Sequence, residues 1–423
     1  VDRSSRRHAL VLGSLLVALP ARASVPDLMG YGARGMALAG AVCADAQGHE
    51  SVYYNPAGLV RDPRRRFTLG YQHLSLDLER DGRALELDAA PATLLGFEVP
   101  LPFGGVLRDR LALGAGFVIP VGSVLLADVP RPDEPSFLLL EDRAQTVSLQ
   151  VALGVRLTPT LSLGAGFIAL ARLGGGIVVA PNETGRIGST VNDELLADYA
   201  PVLGLQWQVE RHAAVGLAFR GESMATFSLP LDADLGDGFP IPVPRLDISG
   251  VAQYDPRQVA FEVAGRPLDA APLRLGGGVT WRAWSAYPGA IAFTAVPRDY
   301  PAQPGPAFED SMTWRVGAEW PLDAWVPRLG LAHESSPVPP QTGLHTVMDS
   351  DRVILGAGVG WHPQALPFTV DFAGQWHRLS GRTDTKDPAR LAPFGSPEDH
   401  PAWPSTTHGG HLLALGLELG VTL

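Results

Sequence analysis

The chain has 423 residues, of which 18% are charged, and its 48 glycines and 38 prolines suit many strands joined by turns. Soluble domains carry roughly 25% charged residues. The net charge of −11 argues against nucleic acid as a partner, and one cysteine, Cys43, excludes an intramolecular disulfide. The length fits two or three soluble domains or one large barrel.

Arg3, Arg6 and Arg7 precede an apolar run from Ala9 to Leu19, and Ala21-Arg22-Ala23 offers a small-x-small cleavage site. This order predicts a signal peptide over residues 1–23 and a mature chain starting near Ser24. Ser5-Arg6-Arg7 followed by Leu10 also fits a twin-arginine signal, so both export routes stay open. Beyond it there is no apolar run of about 18 residues, which excludes a helical membrane protein and leaves a closed barrel as the spanning structure.

Residues 24–64 read as a compact plug of tight turns. Gly30 to Ala41 is glycine-rich and apolar, and Ser51 to Leu59 follows it. Pro56 fixes its own φ and pushes Asn55 out of the helical region, so Asn55-Pro56 predicts a turn. The Asn55 side chain can bond the backbone two residues on. Ala57 and Gly58 are small enough to let another surface approach, and Cys43 reads as a small residue packed in the plug.

Residues 65–423 hold segments of about ten residues with period-two alternation, the length a tilted strand needs to cross a bilayer. Starts are predicted near Phe67, Thr93, Leu111, Arg143, Leu161, Asp198, Ala213, Arg257, Leu273, Ser311, Val326, Asp351, Phe368 and Gly410. Between Arg143 and Leu157, Val147, Leu149, Val151, Leu153, Val155 and Leu157 share one face. Ser148, Gln150, Ala152, Gly154 and Arg156 share the other. The last segment sets Leu413, Leu415, Leu417, Leu419, Val421 and Leu423 against Gly416, Glu418, Gly420 and Thr422.

A soluble sandwich also alternates. The connections favour a barrel: tight turns at Thr158-Pro159, Glu210-Arg211, Asp323-Ala324 and Pro363-Gln364 alternate with long links. The links run Gly122 to Asp142, Arg172 to Ala197, Leu231 to Pro256, Ser285 to Asp310 and Gly381 to Gly409. Outer-membrane barrels have short periplasmic turns and long external loops. The predicted fold class is therefore all-β, a transmembrane antiparallel β-barrel of about fourteen strands. Trp281, Trp284, Trp320, Trp325, Trp361 and Trp376 near strand ends suit interfacial girdles or core packing.

Gly32-Ala33-Arg34-Gly35-Met36-Ala37-Leu38-Ala39-Gly40-Ala41, Asp45 and Tyr53-Tyr54-Asn55-Pro56-Ala57-Gly58-Leu59 resemble the FadL-type family of outer-membrane channels for hydrophobic compounds. Later echoes are Trp281-Arg282-Ala283-Trp284-Ser285, Trp314 to Trp320 and Arg328 to Pro339. The resemblance implies that the plug is an N-terminal hatch inside the lumen, with Gly35, Gly40, Asp45, Asn55, Pro56, Ala57 and Gly58 as hatch and gating residues. It implies capture of ligand by the third and fourth external loops. Of these, the second carries Phe239, Ile241, Val243 and Leu246, an apolar patch. It also implies lateral release at the third strand, which carries Gly114, Gly116 and Pro120. Pro120 either weakens that strand or marks its end.

Arg156, Arg220 and Arg315 fall on the inner face with Glu319, either as a structural ion ladder or as partners for a carboxylate ligand. His400, His408 and His411 share a loop with Glu398 and Asp399, but no nucleophile elbow, His-Glu-x-x-His or clustered Cys/His set occurs. The expectation is no enzyme, no metal and no cofactor. The partners expected are a fatty acid or hydrocarbon, the lipid bilayer and lipopolysaccharide, with the protein a monomer in the Gram-negative outer membrane. The function expected is passive uptake of hydrophobic compounds. An assembly barrel that docks a secretion-system partner and a soluble exported all-β protein are the alternatives.

Overall fold

A strand that lines a bore and faces lipid must present two chemistries in alternation, and the ring of strands resolves each alternation into an inner and an outer face. The computed structural model describes residues 25–121, 133–140, 147–181, 187–210, 213–233, 246–267, 272–289, 291–293 and 305–423. Fourteen strands form the ring. They are β1 (Arg66–Arg80), β2 (Ala90–Pro100), β3 (Leu111–Pro120), β4 (Ser148–Arg156), β5 (Leu161–Pro181), β6 (Ile187–Glu210) and β7 (Ala213–Arg220), then β8 (Gln258–Gly265), β9 (Arg274–Arg282), β10 (Ser311–Glu319), β11 (Trp325–Glu334), β12 (Arg352–Trp361), β13 (Phe368–Thr385) and β14 (Ser405–Thr422). Each pairs antiparallel with the next. β14 then pairs with β1, Thr422 opposite Arg66 and His408 opposite Arg80, which closes the ring. Ten of the fourteen predicted starts fall on these strands, Arg257, Leu273 and Asp351 each lie one residue ahead of one, and Arg143 lies outside the described residues.

The outer face is apolar. On β14, Leu413, Leu415, Leu417 and Leu419 are exposed while Leu412 and Ala414 are fully buried. On β10, Trp314 and Val316 are exposed and Thr313 is buried. The row from Leu413 to Leu423 is about 33 Å long at about 3.3 Å per residue. Tilted by about 40°, it spans about 25 Å, the height of the apolar band of an outer-membrane barrel. No helix among the described residues is long and apolar enough to cross a membrane.

Several predicted links are strand instead. β5 and β6 continue pairing through Ala171–Pro181 and Ile187–Ala197, so most of the predicted Arg172 to Ala197 loop is a tall hairpin. The predicted Leu231 to Pro256 link holds most of a second hairpin, Ser223–Ala233 paired with Leu246–Asp255, and its first strand pairs in parallel with β5. Above the bilayer, water replaces lipid on the outer face, so the chain can keep its ladder without keeping the apolar alternation. Trp284 takes the core-packing alternative rather than the girdle: it is 6% exposed, in a mouth cluster with Tyr254, Tyr287 and Phe308. Trp320, Trp325 and Trp376 do face outward, and Trp361 lies 5.5 Å from Phe368 between ring centroids.

Candidate functional site

The segment from Val25 to Val60 threads the bore. Its short helices, Val25–Met29, Ala33–Ala37 and Ser51–Tyr54, and its 3-10 turns, Gly48–Glu50 and Pro56–Val60, touch β1–β6 and β11–β14, and its connecting residues Leu38 to Asp45 reach β7–β10. Met29, Tyr31, Met36, Leu38 and Leu59 are fully buried there.

Asn55 holds two halves of this segment and the wall together. Pro56 leaves it extended, at φ −165° and ψ 101°, between a helix and a 3-10 turn. Its Oδ1 accepts from the Ala57 amide at 3.2 Å, the bond two residues on that the sequence predicts. Its Nδ2 donates to the Cys43 carbonyl at 2.9 Å and to the Leu205 carbonyl on β6 at 3.0 Å. Wall glycines admit the turn: a Cβ at Gly204 would fall on the Asn55 amide, and one at Gly164 on the Pro56 backbone. Gly58 itself packs against the Ala46 carbonyl, Gly35 against the Tyr54 ring, and Ala57 is fully buried. Gly40 turns at φ 81° beside the Arg315 guanidinium.

Beneath the turn, charges tie the segment to the ring. Asp45 receives a two-pronged contact from Arg274 on β9, both bonds 2.6 Å, and lies 3.3 Å from Arg34. Arg34 reaches Glu319 on β10 at 2.9 Å and Glu50 at 3.7 Å. Glu319 also accepts from Arg328 at 2.7 Å, and Arg328 continues to Asp371. Glu262 on β8 accepts from the Cys43 amide at 2.8 Å and Arg274 at 3.2 Å, and Glu418 accepts from the Ala33 amide at 3.0 Å. Burial raises the Asp45 carboxyl, but Arg34 and Arg274 outweigh it and hold it below the usual carboxylate range. Burial pushes Glu50 upward, since Arg34 compensates only in part.

Of the predicted inner-face group, Arg220 pairs with Asp27 at 3.3 Å and lies 3.8 Å over the Tyr53 ring. Arg156 donates to the Val60 carbonyl, and Arg315 to the Thr280 hydroxyl at 2.5 Å. Outside that group, Glu222 accepts from Tyr254 at 2.8 Å. Only Glu319 joins the main network. Arg274, Arg328, Asp371, Glu262, Glu50 and Glu418 complete it. Sequence reading singled out none of their pairings. The available signal was a lone charge on the small-residue face of a strand, which Glu418 displays.

Gly114 and Gly116 lie inside a continuous ladder, opposite Glu98 and Ala152 and opposite Gly96 and Gln150. They make room for Leu59, Val52 and the Tyr31 hydroxyl. Pro120 is the last residue of β3. Phe239, Ile241 and Val243 lie outside the described residues, and Leu246 opens the strand Leu246–Asp255. The three histidines read as sharing a loop diverge: His400 lies in the link, His408 and His411 on β14. His400 Nε2 lies 2.9 Å from the Leu344 carbonyl, His408 Nε2 3.2 Å from the Asp349 carbonyl, and His411 faces Asp77.

A cavity lies over the segment on the long-link side, bounded by Leu28, Tyr53, Tyr54, Val202, Arg315 and Ile354. Leu28 and Tyr53 at its edge share an apolar cluster with a packed column on the inner face of β1 and β2, Leu94, Leu74 and Leu78, these three at most 1% exposed. On the opposite side of the segment the cavities are polar, bounded by Arg34, Asp45, Arg61 and Arg274 and by Asp62, Arg66 and His362. External links fold over the mouth, where Lys386 Nζ donates to the Gly343 and His345 carbonyls at 2.9 and 2.7 Å. Burial pushes its ammonium down to about 8.

Comparisons with known proteins agree with this architecture. Residues 17–386 match the family described as outer membrane protein transport protein (OMPP1/FadL/TodX). Alkane uptake protein A of Marinobacter nauticus is 23% identical over 373 residues, 79% of each chain. A Pseudomonas aeruginosa FadL homologue superposes with a TM-score of 0.64 at 16% identity, covering 93% of this chain and 98% of its own. The Ralstonia pickettii toluene transporter TbuX does so at 0.55 and 17%, covering 94% and 99%. With a closed ring, a lipid-facing exterior and a family match over most of its length, the chain belongs to the FadL/TodX family of outer-membrane transport proteins.

Proposed function

We propose that the protein is a passive channel for hydrophobic compounds, taking in long-chain fatty acids, alkanes or aromatic hydrocarbons. External loops catch the ligand, it descends to the cavity over the inserted segment, and it leaves sideways into the membrane. On this reading residues 1–23 are a signal peptide, 24–64 a hatch and 65–423 the barrel. Gly35, Gly40, Asp45, Asn55, Pro56, Ala57 and Gly58 shape and hold the hatch.

The apolar column along β1 and β2 carries this reading. It offers a greasy solute a favourable path past the charged outer leaflet, at roughly 25 cal/mol per Å² of apolar surface kept from water. The polar cavities beneath the segment offer no such path onward. Lateral release is supported by the wall between β3 and β4, not by that beside β1. β1 keeps its ladder with β14 up to Arg80, and on its other side pairing runs to Leu74, opposite Ala90, and resumes from Leu78 to Arg80 against Arg83 to Leu85. The β3–β4 ladder stops at Val118, opposite Ser148. The exit proposed is therefore between β3 and β4 above Val118, past Pro120, rather than at Gly114 and Gly116. The test is uptake of dodecane, toluene and oleate by cells lacking or carrying the gene. At least one of the three enters several-fold faster with it; equal uptake of all three ends the proposal.

A further inference from the structure

The link between β3 and β4 sends a strap into the mouth. Four consecutive apolar residues, Phe137 to Leu140, are all buried: Phe137 and Leu140 are 0% exposed and Leu138 and Leu139 8% each. They divide between two apolar clusters. Phe137 and Leu140 belong with Leu74, Leu78, Leu379 and Leu412, the upper end of the column. Leu138 and Leu139 belong with Tyr254, Trp284, Tyr287 and Phe308 on the other side of the mouth. The Phe137 ring meets His408 edge-on at 5.8 Å. Among the described residues the strap's backbone meets the external links over the mouth at an isolated bridge, Ser136 with Val347. Ser136 donates to the Thr346 carbonyl at 3.2 Å and accepts from the Met348 amide at 2.8 Å. Arg80 donates to the Pro135 carbonyl at 3.0 Å.

We propose that Phe137 to Leu140 fill a ligand-binding slot at the head of the column, and that an uncharged hydrocarbon chain or ring enters by taking their place. This rests on the uptake reading for its purpose but not for its test. Apolar burial is non-directional and scales with area, so a hydrocarbon of similar bulk replaces these side chains at little net cost. An empty slot would lack contacts on one side, so the strap keeps the mouth closed until a solute arrives. Polar solutes gain nothing by displacing it.

A Ser136→Cys/Val347→Cys variant tests the slot, because strand-paired residues lie within disulfide reach and the native Cys43 is buried. The full chain is placed in nanodiscs and titrated with 1-bromododecane, reading the quenching lost in a Trp284→Phe control. Oxidised protein is expected to bind at least tenfold more weakly than reduced protein, with reduction restoring wild-type binding. A Phe137→Ala/Leu140→Ala variant, with less to displace, is expected to bind several-fold more tightly. Wild-type binding by protein shown by mass to be cross-linked overturns the slot. Redox-dependent binding without uptake in cells upholds the slot and sinks only the channel reading.

Discussion

Replacing Arg34 with methionine is expected to release the inserted segment while the ring stays folded. Arg34 is a buried cation within 3.7 Å of three carboxylates, on Asp45, Glu50 and Glu319. Removing it leaves Glu50 without that partner and Asp45 and Glu319 each with one arginine fewer. Breaking a buried ion pair by removing one partner costs about 3–5 kcal/mol. At about 1.4 kcal/mol per factor of ten, amide exchange across residues 33–50 rises by about two to four orders of magnitude. Exchange in β13 and β14 stays unchanged, and ion conductance through single channels in a planar bilayer rises. Lysine at this position restores part of the effect, since a point charge cannot serve three carboxylates as the guanidinium fork does. Unchanged exchange in the Arg34→Met protein would show that the segment is held without the network.

The second large effect is expected at Asn55. Asn55→Ala removes two donated bonds and one accepted bond from a fully buried site. Each unpaired buried group costs about 1–3 kcal/mol. Gln206 still reaches the Cys43 carbonyl at 3.2 Å, so two groups are left and the sum is about 2–6 kcal/mol. Asn55→Asp is expected to be worse than alanine, because it points an anion at the Cys43 and Leu205 carbonyls. Heat-modifiable migration on gels reports the ring, and uptake of dodecane reports the path. The expected outcome is an intact ring with uptake changed several-fold, in the order aspartate, alanine, wild type. An intact ring with wild-type uptake in both variants would remove the Asn55 turn from transport.

The ring was legible because lipid enforces a rule on every residue it touches. Leu413, Leu415, Leu417 and Leu419 had to be apolar, and a period of two followed. Strand ends above the bilayer obey no such rule. β6 begins at Ile187 rather than near Asp198, and β14 at Ser405 rather than near Gly410. Gly410, at φ 133°, sits where the β13–β14 register shifts, so the pattern breaks although the strand continues.

The bore was only half legible. Inward-facing residues need not be polar, and Leu74, Leu76 and Leu78 line the column after Thr68, Gly70 and Gln72 line the lower wall. A binary pattern cannot separate such a column from a strand buried on both faces. The charge network was harder still. Arg274 is distant from Asp45 in sequence, and Arg34 from Glu319. Lone charges at single strand positions say that a partner is needed, not which one. The Asn55 turn was readable because its determinants, Pro56 and the Ala57 amide, lie within two residues of it.

The most direct measurement is anomalous diffraction from crystals of the full chain grown with 1-bromododecane. The account predicts bromine peaks inside the ring, along Leu78, Leu74 and Leu94 and in the cavity over Tyr53 and Tyr54. Peaks confined to the outer, lipid-facing surface, with the column unoccupied at saturating ligand, would contradict it.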